Sequence, residues 1–152
     1  MQNINDLLSN TILITGAVAW VSAQIIKMVL FVIVNRTVDI SRLFGDGGMP
    51  SSHSATVTSV ALSVGLVEGF DTPVFAVAFF LAVIVMHDAM GVRRETGKQA
   101  KVINDMIALV YDEGISPEEK LKEFVGHSPS QVVAGFALGV IIALLMQFVI
   151  FV

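Results

Sequence analysis

TILITGAVAWVSAQIIKMVLFVIV, Thr11 to Val34, carries a single charge, Lys27. A run of about 20 apolar residues is enough to cross the hydrocarbon core of a bilayer. GVIIALLMQFVIFV, Gly139 to Val152, closes the chain in the same manner, and no charge lies between Gln131 and the end. Between them AVAFFLAVIVM, Ala76 to Met86, is apolar all round. Charged residues make up 14% of the 152 and apolar ones 55%, where a soluble domain carries about 25% charged residues. The expected fold class is therefore all-α: an integral membrane helical bundle of about four transmembrane helices with one or two cytoplasmic or interfacial helices, a single membrane domain over residues 1–152.

The first span has no basic residue before it and an apolar run too long for a secretory h-region, so it reads as a retained helix rather than a signal peptide. With no cysteine, disulfides, thiol chemistry and cysteine-based metal sites are excluded. Helix boundaries are expected near Leu8 to Val34, Ser51 to Gly69, Pro73 to Ala89, and from Pro129 onward. The stretch QAKVINDMIALVYDEG, from Gln99, spaces Val102, Ile103, Met106, Ile107 and Val110 like one face of a helix. Ser116, Pro117 and Glu119 have the form of a capping box opening a short helix. Gly135 and Gly139 form a GxxxG pair, a contact face on which a homodimer can be built.

Basic residues set the orientation. Arg36 and Arg42 follow the first span; Arg93, Arg94, Lys98, Lys101, Lys120 and Lys122 follow the third. Lysine and arginine mark the cytoplasmic side, which gives a multi-pass plasma-membrane protein with both termini outside. His53, His87 and His127 then fall near one membrane face.

The candidate chemistry starts in GDGGMPSSHSATVTS, Gly45 to Ser59. Glycines permit tight turns, Pro50 fixes the approach to a helix, and Ser51 or Ser52 can cap it. The amide groups of such a first turn bind anions, phosphate included, and His53 can exchange a proton near neutral pH. The plainer reading is a capped helix with an interfacial histidine. His127, in GHSPSQVVAG, stands at the mouth of the last helix, where it is either structural or a nucleophile for phosphoryl transfer. Asp88 can orient an imidazole or hold Arg93 or Arg94; the arginines can clamp phosphate through paired bonds or merely follow from topology, and Lys98 extends that basic stretch. Lys27 lies deep in its span with Gln24 a turn before it, on a spacing that shares a face. Burying a lysine in lipid is costly, so it points to a pocket or snorkels to the headgroups. The three histidines with Asp88 lack the short spacing of a metal-binding motif. No metal and no cofactor are expected, and no nucleic-acid partner, since topology accounts for the basic residues.

GGMPSSHSA, HDAMGVRRETGKQA and GHSPSQVVAG together resemble the divergent branch of the type-2 phosphatidic acid phosphatase superfamily, related to acid phosphatases and vanadium-dependent haloperoxidases. The resemblance runs from Ala23 to Gly139. It implies that His53 protonates the leaving group, with Ser52 at a position where the better-studied branch has glycine, and that His127 is the nucleophile. That branch has an aspartate four residues after the nucleophile, where this chain has Gln131, and an arginine six residues before it, where this chain has Leu121. Its first motif places arginine seven residues after the lysine; Lys27 matches, Val34 takes the arginine position and Arg36 lies nearby. Asp88 or Asp105 is then left to replace the orienting carboxylate, and Arg93 or Arg94 the phosphate clamp.

The expectation is a metal-independent phosphatase that acts on a lipid-linked phosphate or pyrophosphate through a phosphohistidine, with membrane lipid as partner. The alternative is a non-catalytic phospholipid-binding or small transport-related membrane protein with a degenerate phosphatase site. A structural bundle would scatter the polar residues over different faces.

Overall fold

A computed structural model of the chain describes residues 2–38, 48–111, 121 and 127–151. Among them all regular structure is helical: α1 Gln2–Leu8, α2 Thr11–Asn35, α3 Ser52–Glu68, α4 Pro73–Met90, α5 Val92–Tyr111 and α6 Pro129–Leu145, which runs on into a π-turn, Met146–Ile150. The all-α membrane bundle expected from the sequence is what the chain forms. The short helix opened at Ser116 lies outside the described residues.

The first span begins at Thr11, three residues after the start expected near Leu8, and the segment before it forms a separate short helix, α1. Asn10 caps α2 by accepting the Leu13 amide on its side chain at 3.0 Å, which detaches α1. Three stretches are long and apolar enough to cross a membrane: Thr11–Asn35, the one beginning at Pro73, and Pro129–Ile150. α3, expected as a fourth equivalent span, differs from them. Its 17 residues reach about 25 Å at 1.5 Å per residue, and α2, α4 and α6 all pack along it. It is the axis of the bundle. Ser52, Ser54, Thr58, Ser59 and Ser63 on it are buried.

Small residues make this possible. The buried apolar positions are mostly alanines, among them Ala19, Ala23, Ala55, Ala61, Ala82 and Ala143, whereas Phe79, Phe80, Ile84 and Phe148 are exposed. Lipid is as apolar as leucine, so large side chains gain nothing by turning inward, and close backbone approach between small residues drives association instead. Gly135 and Gly139 are the tightest case. A Cβ on Gly135 would overlap the Ser51 carbonyl oxygen, and one on Gly139 would lie 2.5 Å from that of Ala55. The GxxxG face offered by the sequence to a second copy is thus occupied by α3 of the same chain. Gly135→Val is expected to destabilise the protein by about 1–3 kcal/mol or more, read as a lowered unfolding midpoint in detergent.

α5 also differs from the sequence reading. It starts at Val92, and Val102, Ile103 and Met106 are exposed. The buried stripe is Gly97, Ala100 and Asn104.

Candidate functional site

The first turns of α3 and α6 are clamped together. Ser51 caps α3: its Oγ accepts from the Ser54 amide and hydroxyl, at 3.3 and 3.0 Å. Its own amide donates to the Gln131 carbonyl at 3.0 Å. Ser128 caps α6, and Gln131 completes a capping box by accepting the Ser128 amide on Oε1 at 2.9 Å. The amide of His127 donates to the Ala89 carbonyl at 3.0 Å, which ties the α6 mouth to the last turn of α4. The ends of α2, α3, α4 and α6 therefore meet at one end of the bundle.

Two histidines and a lysine lie there. His127 is 4% exposed and His53 half-buried. Their ring centroids are 6.0 Å apart, with the planes at 54°. Lys27, 7% exposed, donates from Nζ to Ser52 Oγ at 3.1 Å. Lys27 does not snorkel outward: its charge is held beside the α3 cap, under Gly48, whose added Cβ would lie 3.8 Å from Lys27 Cγ. Gly48 has φ +84°, a left-handed conformation that glycine adopts without cost.

The state of the His127 ring follows from its neighbour. Nδ1 lies 3.3 Å from Gln131 Oε1. The Ser128 amide can only donate, so the Gln131 atom it meets is the oxygen, and that oxygen in turn can only accept. Nδ1 therefore carries a proton, and in the neutral ring the lone pair is on Nε2. Gln131 thus fixes the tautomer and the orientation of the His127 ring. As a neutral amide it supplies no charge to an imidazolium.

Other residues singled out in the sequence are placed differently. Asp88 is half-buried on α4, beside the Ala89 that holds His127. His87, its neighbour, is exposed. Lys98 is exposed and paired with Glu95, and Asp105 is exposed on the same helix. Neither Lys98 nor Asp105 is bonded to the histidines among the described residues. Arg93 and Arg94 lie in the first turn of α5, and their side chains are outside the described residues. Arg36 ends α2 in a left-handed conformation and is exposed.

The sequence reading missed Asn104. This side chain, 9% exposed, donates to the Leu121 carbonyl at 2.8 Å and accepts the Leu121 amide at 2.9 Å. The chain is thereby pinned six residues before His127. The signal was present: Asn104 continues the small-residue stripe of Gly97 and Ala100 at helical spacing.

Two histidines with ring centroids 6.0 Å apart, a buried lysine and two serine caps thus meet at one end of a helical membrane bundle. The chain belongs to the Divergent PAP2 family, whose family model matches residues 8–142. It is 40% identical over 154 aligned residues to "Uncharacterized membrane protein YuiD" of Bacillus subtilis (strain 168), an alignment that covers 94% of this chain and 98% of that protein. No solved structure shows a significant match.

Proposed function

We propose that the protein is a metal-independent phosphatase for a lipid-linked phosphate or pyrophosphate, with the polar end of the bundle on the cytoplasmic face. One observation carries this reading: His53 and His127 face each other at 6.0 Å, beside the Lys27–Ser52 pair. In-line transfer needs one ring nitrogen in near-attack contact with phosphorus and the other within proton-transfer reach of the leaving oxygen, and two rings bordering one space can supply these two contacts.

The Nε2 lone pair of His127 attacks phosphorus, and the bond from phosphorus to the lipid oxygen breaks. His53 gives its proton to that oxygen as it leaves. Lys27 and the first-turn amides of α3 hold the equatorial oxygens, where positioned donors stabilise the developing charge. Water then attacks the phosphohistidine, His53 takes its proton, and the P–N bond breaks. Asp88, with Arg93 or Arg94, is assigned the supporting role left open by Gln131 and Leu121; Lys98 and Asp105, bound elsewhere or exposed, are not.

The competing reading, a phospholipid-binding protein without turnover, draws its support from Gln131, which fixes the His127 ring without a charge. The test is phosphate release from a panel of lipid phosphates by the purified chain in lipid nanodiscs with a metal chelator present. Release with metal-independent turnover supports the phosphatase. Saturable binding with no release by any lipid in the panel supports the binding protein.

A further inference from the structure

Below the histidines, toward the middle of the bilayer, α3, α4 and α6 leave an apolar slot of about 220 Å³. Thr58, Phe75, Phe79, Ala82, Met86 and Phe136 are among its walls. At its upper end Thr58 Oγ1 lies 3.9 Å from Met86 Sδ. Met86 is three residues before the Ala89 whose carbonyl holds His127, and Phe136 is five residues after Gln131, so the slot begins just under the polar site. Aromatic rings line its far end. Phe70 folds back onto Gly65, where an added Cβ would strike its ring, and meets Phe75 edge-on with centroids 5.0 Å apart. Phe79 stacks next at 6.0 Å. The flanking helices α4 and α6 both belong to stretches apolar enough to cross a membrane, and Phe79 and Val83 on the rim are exposed. The mouth therefore opens on hydrocarbon, not water.

We propose that this slot takes one hydrocarbon chain of the lipid whose phosphate sits between His53 and His127. The proposal rests on the phosphate reading of that site and names what it adds: the chain is held between α4 and α6, not between α2 and α3. The apolar lining, its place one to two turns below the residues that hold the histidines, and the membrane-spanning helices at its mouth make hydrocarbon the occupant. At about 30 Å³ per water-sized group the slot holds roughly seven such groups, the proximal half of a single chain. A second chain, where the lipid has one, stays in the bilayer.

The test compares butyl, octyl and dodecyl phosphate in nanodiscs for wild type, Ala82→Phe, which fills the slot, and Phe79→Ala, which widens it. With partition into the disc corrected for, wild-type kcat/KM is expected to rise several-fold from butyl to octyl, as van der Waals packing of the longer chain in the slot allows, and to level off by dodecyl. Ala82→Phe is expected to abolish that rise while leaving butyl phosphate turnover within about twofold. Phe79→Ala is expected to move the plateau toward the longer chain. The same chain series of alkyl phosphonates is read by thermal shift, which needs no turnover. A chain-dependent shift lost in Ala82→Phe, with no hydrolysis of any phosphate, keeps the slot and overturns the phosphatase. Chain dependence identical in wild type and both variants, by either readout, overturns the slot.

Discussion

His127→Ala is expected to lower phosphate release from a lipid phosphate by at least about 10³–10⁴-fold, as removal of a nucleophile does. The loss can be assigned to chemistry because the alanine keeps the local fold. The bond to Ala89 is made by the backbone amide, and Gln131 Oε1 keeps its bond to the Ser128 amide. The ring is removed, with its contacts to Gln131 and His53. The unfolding midpoint in detergent should therefore move little while turnover disappears. Turnover preserved in His127→Ala means that another group attacks phosphorus.

The second large effect belongs to His53. Its assigned task is to protonate the leaving oxygen, a form of catalysis worth about 10²–10⁴-fold. His53→Ala should show that full loss on an alkyl phosphate, whose alkoxide is a poor leaving group. On a nitrophenyl phosphate the leaving oxygen needs no proton, and most of the loss should be restored. Steady-state rates on the two substrates check this directly. An equal loss on both would assign His53 to binding or to structure instead of proton transfer.

Much of this arrangement was legible in the sequence, for physical reasons that differ by residue. Charge-poor runs such as Thr11 to Val34 can hardly be anything but buried in lipid, so the helical membrane bundle followed from composition. Ser51, Ser128, Pro50 and Pro129 declare helix starts by local chemistry alone, and both starts fall where the structure has them. Grouping the basic residues placed the segments before α3 and after α4 at one end of the bundle, which is where His53, His127 and Lys27 meet. What the sequence obscured depends on partners distant along the chain. Periodicity marks an apolar face but not which way it looks. In water the apolar face of α5 would turn inward; in this chain Val102 and Met106 turn out, and Gly97, Ala100 and Asn104 turn in. The GxxxG pair of α6 likewise gave no hint that its partner was α3 of the same chain. Gln131 was legible as a departure from the related phosphatases, yet its bond to His127 Nδ1 and its place in the α6 cap emerge only from geometry. Lys98 and Asp105, attractive as charges near a histidine in the sequence, lie on the exposed side of α5.

The two serine caps make the cluster rigid. Ser51 joins α3 to the α6 backbone, and Ser128 with Gln131 joins the α6 mouth to the His127 ring. Lys27 reaches the same place from α2. Three helices each supply one functional group, and α4 supplies the carbonyl that sets the nucleophile's backbone. The proposed phosphatase activity would draw on such preorganisation, because positioning and charge stabilisation are most of the catalysis of phosphoryl transfer.

The central claim is a covalent bond between phosphorus and His127 Nε2. The direct measurement is to mix the protein in nanodiscs with a lipid carrying radiolabelled phosphate, quench in alkali within the first turnover, and map the labelled peptide by mass spectrometry. The account predicts label on His127, as an acid-labile phosphoramidate, and none in His127→Ala. Steady phosphate release with no labelled protein, or label on Ser51, Ser52 or Ser128 instead, would contradict it.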